Sequence, residues 1–237
     1  MKERPIIFTE LIPKILDGTK TNTRRVITHP AVPNSDMVSF QEFLNVPPPT
    51  IRWEPKEGYY ALLRCNATQN FATIYFKCPY GQVGDRLWVR ETHYRYGKWI
   101  KNGLTKTGRQ RWCFKAFTDT IYYTDNPPSG VKPNSYRQEG WYKRPAIFMP
   151  RTASRITREI TGIRVERVQE ITDSDCEAEG ISKDVYCYIR NIGKATEERT
   201  FSIRRAFHWL WDSLNAKYPW ESNPWVWVIE FKRIDKT

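Results

Sequence analysis

The chain has 237 residues, 40% of them hydrophobic and 14% aromatic, so it is long and apolar enough to bury a core and is not disordered in composition. Its 38 Lys and Arg residues against 26 Asp and Glu residues give a net charge of +12, which favours an anionic partner, nucleic acid first. A basic protein without such a partner is the alternative. No stretch approaches the roughly 20 apolar residues of a membrane span, and Met1–Pro5 lacks the apolar run of a signal peptide.

The cysteines and histidines are too scattered to predict a disulfide framework or a metal site. The five cysteines are odd in number and contain no Cys-x-x-Cys pair, and the three histidines are isolated in sequence. Reduced cysteines in a cytoplasmic protein fit this pattern better. We therefore predict neither a metal nor another cofactor. The residues concerned are Cys65, Cys78, Cys113, Cys176, Cys187, His29, His93 and His208.

The chain begins with a predicted strand, Pro5–Phe8, followed by a helix over residues 9–17 with Thr9 as its N-cap. Gly18 ends this helix, since glycine enters the left-handed conformation without a Cβ clash. A second strand is predicted to start within residues 24–27.

The turn after this helix concentrates polar chemistry. Lys20 offers a base or a positive charge, Thr23 offers a hydroxyl nucleophile, and Arg24 and Arg25 offer partners for phosphate or carboxylate. The alternative is a solvated basic turn. In a regular strand Lys20 and Thr23 would point to opposite faces, so joint chemistry requires a bent backbone.

Residues 28–50 contain five prolines and are predicted to be a loop or insertion. Tyr59–Cys65 and Phe71–Phe76 are predicted to pair as a hairpin, because a short polar link separates two β-rich runs. Residues 127–140 are again rich in Pro and Gly and are predicted to be a loop.

A turn over residues 78–85 leads into a predicted strand, Arg86–Glu91. Within it Leu87 and Val89 share one face, and Trp88 takes the other face between arginines. A further β-like run is predicted at Trp112–Ala116.

Residues 141–155 are basic and aromatic, with prolines at 145 and 150. We interpret them as an ordered, irregular loop that lies over a nucleic acid or closes a pocket. A surface segment whose arginines are solvated is the alternative.

The last third of the chain carries three clear elements. Residues 156–168 form a predicted strand whose alternation slips at Gly162, as at a β-bulge. Thr172 caps the next helix in a capping box with Asp175. That helix ends near Gly180, which places Glu177 and Glu179 in its last turn, where acidic residues oppose the helix dipole.

Residues 182–200 are predicted to be a loop. Residues 203–214 have the apolar spacing of an amphipathic helix that packs on a core, and Trp225–Phe231 is predicted to be a closing strand buried on both faces. Short strands, two or three helices and long insertions predict an α+β fold around a small barrel or a strongly curled sheet.

The chain resembles the ASCH domain family, which has a PUA-like fold, in four motifs that keep the family's order. It looks most like the larger branch found in phage and prophage genomes. The resemblance implies one α+β domain, a small PUA-like β-barrel with flanking helices and with elaborations at residues 28–81 and 93–154. The motifs are DGTKTNTRR at 17–25, GDRLWV at 84–89, the strand 163–171 followed by EAEG at 177–180, and WVIEF at 227–231.

PUA-like relatives imply binding of RNA or modified nucleic acid, and one small bacterial ASCH protein is an N(4)-acetylcytidine amidohydrolase. Its catalytic lysine and threonine match Lys20 and Thr23, and a nearby arginine matches Arg25. Its catalytic glutamate is matched best by Glu179, with Glu177 as the alternative.

Two functions therefore stay open. The first is an amidohydrolase acting on acylated cytidine or a related nucleoside or nucleic acid, with Lys20, Thr23 and Glu179 as catalytic residues. The second is a non-catalytic module that binds RNA or DNA. The predicted residues for binding substrate or nucleic acid are Arg24, Arg25, Trp88, Arg90, Arg151 and Arg155.

Overall fold

The computed structural model describes residues 1–8, 11–28, 50–54, 59–65, 71–181 and 202–234. The chain divides into two compact units. The first unit comprises residues 1–4, 13–87 and 158–237, and the second comprises residues 5–12 and 88–157. The second unit contains the whole of the predicted elaboration at 93–154. The predicted loops at 28–50 and 182–200 lie almost entirely outside the described residues.

The described residues form three α-helices, α1 (Ile12–Leu16), α2 (Asp173–Ala178) and α3 (Ile203–Leu214). All three were predicted from the sequence, and the Thr172 hydroxyl accepts the Asp175 N–H at 3.1 Å as a cap should. The predicted N-cap of the first helix, Thr9, lies outside the described residues. None of the described helices is long and apolar enough to cross a membrane.

Twelve strands make up most of the regular secondary structure of the described residues, and together with the helices they confirm the predicted α+β class. They are β1 (Glu3–Ile7), β2 (Asn22–Val26), β3 (Thr50–Glu54), β4 (Tyr59–Cys65), β5 (Phe71–Lys77), β6 (Arg86–Arg90), β7 (His93–Leu104), β8 (Gln110–Tyr123), β9 (Val131–Lys132), β10 (Gly140–Arg144), β11 (Thr157–Arg167) and β12 (Trp225–Arg233).

The strands form three sheets, of order β1-β6-β11-β12-β2, β8-β7-β10-β9 and β3-β4-β5. Within the described residues each order is open, and no closed barrel is present. The predicted hairpin is confirmed as β4 and β5, while β3 was not predicted.

Strand β12 lies inside the first sheet, where it pairs with β11 and β2. Four consecutive residues, 226–229, are buried, which confirms the prediction of a strand covered on both faces. The pairing of β11 with β12 shifts between Ile160 and Gly162, where the sequence predicted a bulge.

Helix α3 packs its apolar face into the hydrophobic core of the first unit. Its buried stripe joins residues of β12 and of the α2 region in one cluster, as its periodicity predicted. The members are Val168, Ile171, Cys176, Ile181, Ile203, Ala206, Phe207, Trp211, Val226 and Val228.

The second unit differs most from the sequence-based expectation. The run at Trp112–Ala116 is one part of a long hairpin, β7 and β8, and Trp141–Arg144 is not irregular but belongs to strand β10. Strand β10 pairs with β7 in antiparallel register and with β9 in parallel register. The backbone groups of β10 form their hydrogen bonds with these two neighbouring strands. The sequence did not predict this strand because the prolines around it indicate a loop. Two 3₁₀ turns, at 146–148 and 151–153, follow.

Candidate functional site: a buried lysine–glutamate pair

The turn after α1 is held to three neighbouring elements by its own backbone. Gly18 has a φ of +86°, the conformation expected for a helix stop. The Lys20 N–H donates to the Lys14 carbonyl at 2.8 Å, and the Thr21 N–H donates to the Ala178 carbonyl at 2.8 Å. The Thr21 carbonyl accepts the Phe231 N–H at 2.8 Å. Because β2 begins only at Asn22, strand alternation does not govern the relation of Lys20 to Thr23.

Glu179 joins the two halves of the predicted catalytic set. Lys20 Nζ donates to the Glu179 carboxylate and, at 2.7 Å, to the carbonyl of the same residue. The other carboxylate oxygen accepts the backbone N–H of Arg24 at 2.7 Å. Glu179 therefore bridges Lys20 and the peptide group that links Thr23 to Arg24.

This bridge is dry. The Lys20 and Glu179 side chains are 4% and 5% exposed, and Thr23 is also buried. Glu177, the alternative family glutamate, is exposed. The buried position beside Lys20 favours Glu179 as the matching residue.

Gly180 brings the end of α2 close to the turn. Its φ of +89° lies in the left-handed region, and a Cβ built there would lie 3.3 Å from Lys20 Cβ and 3.2 Å from Lys14 Cβ. A glycine at this helix exit therefore allows both the tight turn and the close approach of Lys20 to Glu179.

Arg24 meets three carboxylates and is almost fully buried. Its guanidinium lies 2.6 Å from Glu166, 3.0 Å from Asp175 and 3.5 Å from Glu179. The Phe207 ring of α3 lies 5.9 Å from the same group. This residue was predicted to bind substrate, and the structure places it among carboxylates that already neutralise its charge.

A second arginine extends this network on β11. Arg164 donates to Glu166 at 3.1 Å and to Asp175 at 2.8 Å, and it also pairs with Glu230 of β12. Sequence reasoning missed Arg164, Glu166 and Glu230, and it saw Asp175 only as a capping residue. One signal for this network was available in the sequence: Arg164 and Glu166 are two residues apart on a predicted strand, so their opposite charges lie on the same face.

Burial sets the electrostatics of Lys20. Desolvation lowers the pKa of its amine, the charge and hydrogen bond of Glu179 oppose this, and the charges of Arg25 and Arg24 lower it further. The net direction of the shift is downward. Burial also lowers the pKa of Arg25, whose charge still acts on Lys20.

The other four predicted binding residues belong to the second unit and form a separate group. Trp88 is only 7% exposed, with the Arg90 guanidinium 4.7 Å and the Arg151 guanidinium 5.9 Å from its ring. The indole face is thus already covered by protein. Arg155 makes two 2.9 Å bonds to the Glu91 carboxylate, which neutralises part of its charge.

Comparisons with known proteins leave the family resemblance as a prediction. No protein-family model matches the chain, and no significant match was found among curated proteins or solved structures. Within the described part of the chain, no group of three or more His, Cys, Asp or Glu side chains has the arrangement of a metal site.

Proposed function

We propose that this protein is an ASCH-type amidohydrolase, built on a PUA-like barrel with long insertions, that removes an acyl group from N(4) of cytidine or a related modified nucleoside. The observation that supports the proposal is the bridge made by Glu179, which links Lys20 to the Thr23–Arg24 peptide in a buried setting. The motif resemblance assigns catalytic roles to the side chains of Lys20, Thr23 and Glu179.

The pair of Lys20 and Glu179 suits proton transfer. Moving the proton from the Lys20 ammonium to the Glu179 carboxylate converts two buried charges into two neutral groups, and burial favours neutral groups. Lys20 then becomes a free amine able to accept the Thr23 hydroxyl proton, while Glu179 holds a proton for the leaving group.

In the proposed reaction, the Thr23 oxygen attacks the acyl carbonyl carbon as Lys20 takes its proton. Arg25 is the cation assigned to stabilise the oxyanion. The C–N bond breaks as Glu179 protonates the leaving cytosine amine. Water then attacks the threonine ester and gives one proton to Glu179. Acetic acid leaves as Lys20 returns a proton to Thr23, and the acid loses its proton to solvent.

The test is hydrolysis of N(4)-acetylcytidine by the wild type beside Lys20→Ala and Thr23→Ala. We expect Lys20→Ala to lower kcat by about 10²–10⁴-fold, the range for general acid–base catalysis, and Thr23→Ala to lower it by at least as much because the nucleophile is lost. Thr21→Ala is the matched control, since Thr21 is an exposed threonine of the same turn. Circular dichroism of every variant checks folding.

Two results would contradict the enzyme. One is absence of turnover by the folded wild type, and the other is equal turnover by wild type and Thr23→Ala. Salt-sensitive binding of RNA or DNA that survives Thr23→Ala would then leave a non-catalytic binding module, the second function that the sequence left open.

A further inference from the structure

One face of the sheet formed by β8, β7 and β10 combines aromatic rings with lysines. Residues directly opposite each other in an antiparallel pair share a face of the sheet. Tyr94 lies opposite Tyr122 on one side and Lys143 on the other, and Tyr96 lies opposite Trp141. Two residues further along β7 the same face holds a facing pair of lysines. We call this surface the aromatic–lysine face, formed by Tyr94, Tyr96, Lys98, Lys115, Tyr122, Trp141 and Lys143.

The lysines of the aromatic–lysine face are open to solvent and its rings are partly so. Its four aromatic residues are half-buried, and its three lysines are exposed. The rings are held in place by each other, since Trp141 packs edge-on against Tyr96 at 5.4 Å and against Tyr122 at 5.0 Å between centroids. The face therefore presents ordered aromatic rings whose surface is partly accessible to solvent.

On the opposite face of the same sheet, the aromatic rings pack against each other and against arginine side chains. There Trp99, Phe114 and Tyr142 pack together, with centroids 5.6–6.4 Å apart. Arg144 covers Trp99 at 4.8 Å and Phe114 at 4.5 Å, and Arg137 lies 4.7 Å from Trp112. Trp99, Phe114 and Trp112 are half-buried like the rings of the aromatic–lysine face, and the difference is that arginine guanidinium groups lie over them.

Charge on this hairpin is mostly positive. From His93 to Thr118 the chain holds seven Lys and Arg residues and no Asp or Glu. Two carboxylates lie close by: Glu139 bonds to Tyr96 of the face itself and thereby raises the pKa of its hydroxyl, and Asp119 of β8 lies 3.8 Å from Arg95. The surface is thus complementary to a polyanion.

Rings and lysines on one exposed sheet surface match two features of a single-stranded nucleic acid. Bases stack on aromatic faces with little regard to sequence, and lysines hold the backbone phosphates. A duplex hides its base faces, and an acidic protein or an anionic membrane has no base to stack on exposed rings. The occupant that uses both features is a single strand.

We propose that the aromatic–lysine face binds single-stranded nucleic acid, RNA or DNA, through base stacking and phosphate contacts. This site is distinct from the buried Lys20–Glu179 pair and goes beyond the proposed hydrolysis. It gives the second unit a role of its own, that of holding a polymer.

The first test removes the lysines. Lys98→Ala/Lys115→Ala/Lys143→Ala is compared with Lys2→Ala/Lys217→Ala/Lys232→Ala, which deletes the same charge from exposed positions outside this face. Binding to labelled poly(U) and poly(dT) is measured over a range of salt. We expect the first triple variant to bind at least about tenfold more weakly, with a log K against log salt slope shallower by about 2, because three phosphate contacts at about 0.7 each are lost. The control should bind like wild type, and equal losses in both triple variants would overturn the proposal.

The second test separates stacking from charge. Tyr96→Leu should weaken poly(U) binding about tenfold, within the range for losing one stacked base, and leave heparin binding unchanged. Equal effects on both probes, or binding of phosphatidylserine vesicles in preference to poly(U), would refute a nucleic-acid surface. Hydrolysis of free N(4)-acetylcytidine by the wild type reports on the proposed function separately, so either proposal can fail without the other.

Discussion

At the scale of single residues, Arg24 was predicted from its basic motif to bind substrate or nucleic acid, but in the structure it pairs with acidic side chains. It sits in a basic turn, yet its guanidinium lies within 3.5 Å of three carboxylates. An arginine so paired orients acids rather than capturing an incoming phosphate. We interpret Arg24 as a positioning residue: its backbone N–H and its guanidinium both hold the Glu179 carboxylate in place.

Asp175 makes this network sensitive to acid. Burial raises the pKa of its carboxyl, but Arg24 and Arg164 outweigh this, so its pKa lies below the ordinary value in the folded protein. The stability it contributes is present above its unfolded pKa, ~3.9, and is lost as pH falls through the lowered folded-state pKa.

We therefore expect Asp175→Asn to unfold about 1–2 kcal/mol more easily at pH 7, where two charge-assisted bonds are lost. The difference from wild type should shrink as pH falls below ~4. Urea unfolding at a series of pH values measures this, with Asp173→Asn, an exposed carboxyl of the same helix turn, as the control. A pH-independent difference would show that the carboxyl's charge is not what stabilises the network.

At the scale of elements, the β7–β8 hairpin depends on one position where the two strands approach closely. A Cβ built on Gly97 would lie 2.1 Å from the Lys115 carbonyl oxygen and 3.0 Å from Ala116 Cα, both backbone atoms. Backbone cannot turn aside as a side chain can, so any larger residue must push the strands apart.

Gly97→Ala should accordingly destabilise the protein by about 1–3 kcal/mol, the usual cost of overpacking. Asn102→Ala, an exposed position of the same strand, should stay near wild type. Urea unfolding followed by tryptophan fluorescence compares the two variants. Equal stability of Gly97→Ala and wild type would mean that the hairpin relaxes without penalty at this point.

The elements themselves were largely predictable because their signals are local. The apolar spacing of residues 203–214, the Thr172 cap and the slip at Gly162 each lie within a few residues of the feature they specify. Strand β10 escaped prediction because its neighbours β7 and β9 supply the pairing, and the proline-rich sequence around it indicated a loop. Tertiary partners overrode the local signal there.

At the scale of the whole molecule, the net charge of +12 is not spread evenly. In the first unit, the cations around Glu179 are matched by carboxylates within hydrogen-bond distance. On the β7–β8 hairpin of the second unit, lysines stand exposed beside half-buried rings. We therefore assign the proposed binding of a polyanion to the hairpin.

Salt should separate the two proposed activities in the wild-type protein. Rising salt should weaken binding of poly(U) steeply, since each neutralised phosphate releases counterions. The KM for N(4)-acetylcytidine should stay constant, because this nucleoside carries no phosphate. Parallel measurements in the same buffers provide the check, and a KM that rises together with the poly(U) Kd would contradict separate sites.

The sequence by itself determined the α+β class, the helices, most strands of the first sheet and the chemistry on offer in the turn at 18–25, since periodicity, caps and glycine stops act over a few residues. Only the tertiary structure decided which acid Lys20 meets, because Glu179 is 159 residues away and reaches it through the register of β2, β12 and α2. It likewise decided that Trp88 is buried and that Tyr96 and Trp141 are only half-buried. Burial and pairing depend on distant strands, and no local pattern encodes them.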